Sequence, residues 1–110
     1  MTRQPLNDGG WFDLDQSQSW DESTWWNGNN HISHATGSQW EHEKLYWSRK
    51  GNWVLNHWSQ YQGVPETWEQ VTPAQAAEWL IRNEHAEEDW QDLPEDVRQV
   101  IEEHVAESEV

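Results

Sequence analysis

The chain has 110 residues, with 21 Asp and Glu against 6 Lys and Arg, a formal charge of -15 and no cysteine. That length holds one domain, the charge repels DNA, RNA and anionic membranes, and the missing cysteine excludes disulfides, thiolate metal sites and thiol nucleophiles. Leu, Ile, Val and Phe total only 17 residues, so a core must come from the 11 Trp, each removing roughly 150–250 Å² from water when buried.

Residues 1–10 are polar, end in Gly9-Gly10 and read as a loose N-terminal segment. Residues 11–71 read as strands and turns. Trp11 to Asp15 alternates weakly, as a short strand does. Trp20 to Trp26 runs into Asn27-Gly28, a strong hairpin signal, and Asn29 to Ser33 supplies the return strand. Residues 35–39 read as a loop. A second hairpin is predicted from Lys44–Ser48 and Trp53–Trp58 around Arg49-Lys50-Gly51-Asn52, where Gly51 can adopt positive φ. Leu45 and Trp47 share one face of it. Either Trp53 with Leu55 or Val54 with Trp58 faces the core, so both faces are partly apolar. One face can take a helix, and the other leaves a homodimer open. Thr67 to Val71 is predicted as the last strand.

Residues 72–110 read as the helical part, with 12 acids and 2 bases. Thr72-Pro73-Ala74-Gln75 combines a cap, an N1 proline and a capping-box Gln. Ala76, Ala77, Trp79, Leu80 and Ile81 form its apolar side, and Asn83 can end the helix. Asp92-Leu93-Pro94-Glu95 starts a second helix, with Leu93, Val97, Val100, Ile101 and Val105 at helical spacing. The prediction is an α+β domain: an antiparallel meander of four or five short strands with two C-terminal helices, the first packed on the sheet.

Residues 45–55 (LYWSRKGNWVL), followed by Val71-Thr72-Pro73-Ala74-Gln75-Ala76-Ala77-Glu78-Trp79-Leu80, resemble small uncharacterised prokaryotic open reading frames. Those share a Leu-Tyr-x-x-x-x-Gly-x-Trp-x-Leu hairpin and a helix with Glu/Gln-Ala-x-x-Trp. The resemblance spans residues 44 to 83, with Trp47 where the pattern prefers Arg. It implies a hairpin-plus-helix unit of accessory or mobile-element type, and brings no known activity.

The residues offer little chemistry. His31, His34 and His42 lie near Glu41 and Glu43, but the segment reads as strand and loop and lacks an H-E-x-x-H pattern, so no metal site is expected. Ser33 beside His34 is adjacency in sequence only. No phosphate-binding glycine motif is present. The expectation is a non-enzymatic protein without cofactor. Glu84, Glu87, Glu88 and Asp89 cluster after the first helix, and Glu102, Glu103, Glu107 and Glu109 cluster on the second. A solvated face, an adaptation to a saline habitat, or a surface complementary to a basic partner each explain them. Trp47, Trp53, Trp68 and Trp79 are assigned to the core. Trp25, Trp26, Trp58 and Trp90 sit beside turns or element ends and, with Glu87, Glu88, Glu102, Glu103 and Glu107, are the candidate partner-binding residues. The partner expected is a protein with a basic, nucleic-acid-binding surface, such as a nucleic-acid enzyme or a toxin. The alternative is a carbohydrate or small-ligand module built on exposed Trp. No apolar run approaches the roughly 18 residues of a membrane span and no signal-peptide core opens the chain, so a cytoplasmic location is expected.

Overall fold

Alternation of apolar and polar residues builds the central element. Strands β6 (Glu41–Trp47) and β7 (Trp53–Ser59) form the hairpin, closed by Gly51 at φ 82° and by Ser48 and Asn52, whose backbones bond at 2.9 Å. The register pairs Leu45 with Leu55 and Trp47 with Trp53 on one face, and Tyr46 with Val54 on the other. The computed structural model describes residues 1–85 and 90–109. Its other strands are β1 (Arg3–Pro5), β2 (Trp11–Asp13), β3 (Gln18–Asp21), β4 (Thr24–Trp26), β5 (His31–Ser33) and β8 (Thr67–Val71). Helices α1 (Pro73–Arg82) and α2 (Glu95–Glu107) follow, the second preceded by a 3-10 turn at Trp90–Asp92.

The fold is α+β, with both helices C-terminal to the strands. The main sheet is antiparallel in the order β3-β6-β7-β8, while β1–β2 and β4–β5 are separate two-stranded ribbons. The expected hairpin at Asn27-Gly28 is the β4–β5 ribbon. The segment before it splits, because β3 leaves to pair with the edge of β6.

The helix-bearing face of the sheet carries Leu45 and Trp53. They are buried in one cluster with Ala76, Ala77, Trp79 and Leu80 of α1 and with Leu93, Val97 and Ile101 in and before α2. Trp20, Trp47, Leu55 and Val71 of the same face pack around it, half-buried. The two adjacent alanines leave room for α1 and α2 to approach closely. The start of α1 is the expected capping box: Gln75 N donates to Thr72 Oγ1 at 3.2 Å, and Thr72 N donates to Gln75 Oε1 at 2.9 Å. Its end is Asn83, buried, whose Nδ2 donates to Trp79 O and whose Oδ1 accepts from Ser23 N. Ile81 and Val105 depart from expectation, since both are exposed. The helical period continues past the surface that each helix covers.

Residues 1–10 are not loose. Arg3, Gln4 and Pro5 pair with Asp13, Phe12 and Trp11, and Gly9 and Gly10, both at positive φ, turn the chain between them. Asn7 then docks on the free edge of β8: its backbone N donates to Trp68 O, and its side-chain oxygen accepts from Trp68 N. This covers part of an otherwise unpaired strand edge. The ribbon lays Phe12 on the second face of the main sheet, 5.6 Å from the Tyr46 ring and 5.9 Å from the Trp68 ring. Trp68, expected in the core, is half-buried on that face and lies outside the cluster beneath the helices. The apolar second face that left room for a homodimer is covered in part by the chain itself.

Burial raises the pKa of the Tyr46 phenol above its ordinary 10.0, with Lys44 opposing the shift. The folded state thus holds this proton more tightly than the unfolded chain does. The resulting stabilisation is complete below pH 10.0 and is lost as pH rises through the raised value. Tyr46→Phe should lose less stability than the wild type between neutral pH and the alkaline range, measured by urea denaturation at each pH. Parallel pH profiles would refute the assignment.

Candidate binding surfaces

An amphipathic helix on a core exposes the residues its period leaves over. In α2, Val97 and Ile101 point inward, so Glu95, Glu102, Glu103 and Glu107 face water and are exposed. Gln99 lies among them, 3.5 Å from Glu103. The basic side chains of α2, Arg98 and His104, are half-buried, and the His104 ring turns toward Glu78 of α1 at 3.9 Å. Among the described residues no ion pair neutralises Glu95, Glu102, Glu103 or Glu107. Trp90, half-buried against the core, borders an open groove with Glu95, Arg98, Gln99 and Glu102. Glu87 and Glu88 lie outside the described residues.

Trp25 and Trp26 stand on β4, opposite Ile32 and His31. Neighbouring residues of a strand point to opposite faces, so the two indoles present to different sides of the ribbon. They are 46% and 59% exposed. Trp58 is half-buried, its ring 5.8 Å from that of His42. The structure therefore groups Trp90 with Glu102 and places Trp25 and Trp26 on a separate ribbon. A further pair escaped the sequence reading. Trp40 and Tyr61, 42% and 56% exposed, meet with ring centroids 5.6 Å apart beyond the ends of β6 and β7. The signal available was an aromatic on each side of a predicted hairpin.

The histidines do not converge. His31 lies against Trp26, with centroids 5.1 Å apart. His34 Nδ1 is 2.6 Å from Ser23 Oγ, and His42 Nδ1 is 2.5 Å from Glu22 Oε1. Ser33, the residue adjacent to His34, donates its hydroxyl to Glu22 Oε2 at 2.6 Å instead. Among the described residues no group of three or more His, Asp and Glu is placed to hold a metal ion. The Ser23–His34 contact has the distance of a nucleophile–base pair, but among the described residues no carboxylate orients the imidazole.

Glu22 is a hub that the sequence did not announce. Besides His42 and Ser33 it accepts from Glu43 N at 3.0 Å. Glu43 in turn accepts from Trp79 Nε1 at 3.2 Å and faces His57 Nδ1 at 3.4 Å. These bonds tie the β4–β5 ribbon to the main sheet, and the main sheet to α1. Their partners are mostly half-buried, and their geometry is that of structural pins.

Among the described residues no helix is long and apolar enough to cross a membrane. No family model, curated protein or solved structure matches the chain.

Proposed function

We propose that this chain is a small protein-binding domain with no reaction of its own. It docks through the outer face of α2 on the basic surface of a partner. The observation that carries this reading is the row Glu95, Glu102, Glu103 and Glu107, exposed on one helix face and unpaired with any cation among the described residues. Such a surface attracts Lys- and Arg-rich patches and speeds encounter with them. A basic patch evolved to hold phosphates is its natural counterpart, so the partner is a nucleic-acid-binding protein that the domain modulates or blocks. Trp90, at the edge of the same groove, supplies an apolar contact beside the charges. The accessory, cytoplasmic role implied by the sequence fits this activity.

The test is affinity capture from lysate of the source cells with wild-type and Glu102→Lys/Glu103→Lys/Glu107→Lys baits, at low and high salt. The reading expects a stoichiometric partner that is lost with the triple reversal, weakened by salt and displaced by duplex DNA or RNA. A partner retained equally by both baits at low salt overturns it.

A second reading rests on Trp40 and Tyr61. Exposed aromatic faces stack on sugar rings, and this pair offers two at an angle of 45°. It expects tryptophan fluorescence changes with simple glycans that are insensitive to salt. The acidic-face reading expects no such response.

A further inference from the structure

The β1–β2 ribbon does not close completely on the sheet. Between it and the β6–β7 turn lies a cleft of about 240 Å³. Phe12 and Val54, both buried, line its apolar part, and Leu6 and Trp11 add to it from the ribbon. Arg49 and Lys50, exposed on the turn, line it as well.

The charge of this cleft runs against that of the chain. Acids outnumber bases 21 to 6 overall, yet the lining holds two bases and one acid. That acid, Asp13, is buried and already engaged: Oδ1 accepts from Asp15 N at 3.2 Å and from Thr2 N at 3.4 Å. Its Oδ2 stands 3.9 Å from Arg49 Nη1, a loose pair that steadies the guanidinium while leaving most of its five donors unused. Lys50 has no ion-pair partner among the described residues. Arg3 lies over the Trp11 ring, 5.0 Å from its centroid, and brings a third cation beside the cleft. Half of the chain's six Lys and Arg thus gather around one apolar hollow.

We infer that this cleft binds a small flat aromatic carboxylate. The ring would lie against Phe12 and Val54, with Trp11 at the rim, and the carboxylate would take the fork of Arg49 with the Lys50 ammonium beside it. A volume of about 240 Å³ is below the roughly 300–1,000 Å³ of sites for larger ligands, which limits the ring system to one or two fused rings. Of the acids of α2, Asp96 shares a neighbouring groove with Arg49 and Lys50 but does not line this cleft; the screening length at physiological salt is about 8 Å, so a ligand at contact feels the lining cations most. The cleft is on the face of the sheet away from the helices, and the inference is independent of the partner proposed for α2.

The experiment titrates the ¹⁵N-labelled full chain with indole-3-acetate and with its uncharged counterpart indole-3-acetamide, followed by amide and indole resonances. Indole-3-acetate is expected to shift the Trp11 indole N–H and the amides of Gly10 and of residues 48–52, and to bind at least about tenfold tighter than the acetamide. Arg49→Gln/Lys50→Gln should bring the two affinities together. Lys50→Gln alone, which breaks no ion pair among the described residues, should narrow the ratio if the double variant disturbs the fold around Asp13. Equal affinities in the wild type, a ratio unchanged in the Lys50 variant, shifts centred on Trp25, Trp26 or Trp40, or no shift at millimolar probe would each overturn the inference.

Discussion

Trp53→Ala is expected to cost about 3–5 kcal/mol of stability, the range for removing a buried aromatic ring. Trp53 is 3% exposed and belongs to the cluster shared by the main sheet, α1 and α2. Its ring lies 5.8 Å from Trp20 and 5.7 Å from Trp47, and its strand position pairs it with Trp47 and Val71. Two of these contacts are aromatic pairs, each worth about 0.5–1.5 kcal/mol beyond the area they bury. Trp20 and Trp47 are only partly buried and can lean into the space left behind, which holds the cost within the range. A domain of this size has about 5–15 kcal/mol in all, so the loss is a large share. Equilibrium urea denaturation of the variant should show a lower midpoint with the slope little changed. The comparison is Trp26→Ala, whose exposed ring should cost no more than about 0.5 kcal/mol. Equal losses in the two variants would mean that Trp53 is not the centre of the core.

That contrast bears on how far the sequence could be read. Features made of neighbours in sequence were legible. The Thr72–Gln75 box, the Gly51 turn and the Asn27-Gly28 turn need only local geometry, and each stands where it was predicted. Strand alternation also gave the two faces of the main hairpin, though choosing which one met the helices required the fold. What failed depended on distant partners. Arg-Gln-Pro has no strand pattern of its own, and β1 exists because β2 turns back on it and Asn7 reaches Trp68, 61 residues away. Phe12 read as a weak strand residue until the sheet beneath it supplied Tyr46 and Trp68. The cleft beside it is assembled from three separate segments, around residues 6–13, 48–54 and 70, so no local pattern announces it. The acidic face of α2, by contrast, follows from a single helical period and was visible at once.

Glu22→Ala is the second large effect expected, about 3–5 kcal/mol, although a glutamate among polar residues reads as solvated surface. Its side chain is only 12% exposed, and its two oxygens gather three partners. Oε1 meets His42 Nδ1, and Oε2 accepts from the buried Ser33 hydroxyl and from Glu43 N. Alanine removes the carboxylate from all three, at about 1–3 kcal/mol for each group left buried and unsatisfied. Glu22→Gln keeps the size and an acceptor oxygen, so it should cost less than half as much. The loss should also be local. Ser33 Oγ accepts from Ala35 N at 3.0 Å and Thr36 N at 3.3 Å, and that turn is held in place by the Glu22 contact. Hydrogen exchange in the alanine variant should therefore quicken at residues 33–36 and at the Glu43 amide before it does at Leu45 to Trp47 and in β7, which make no bond to Glu22 among the described residues. Uniform acceleration across both regions would show a global loss, and unchanged exchange at 33–36 would show that the ribbon is held by other contacts, with Ser23–His34 next in line.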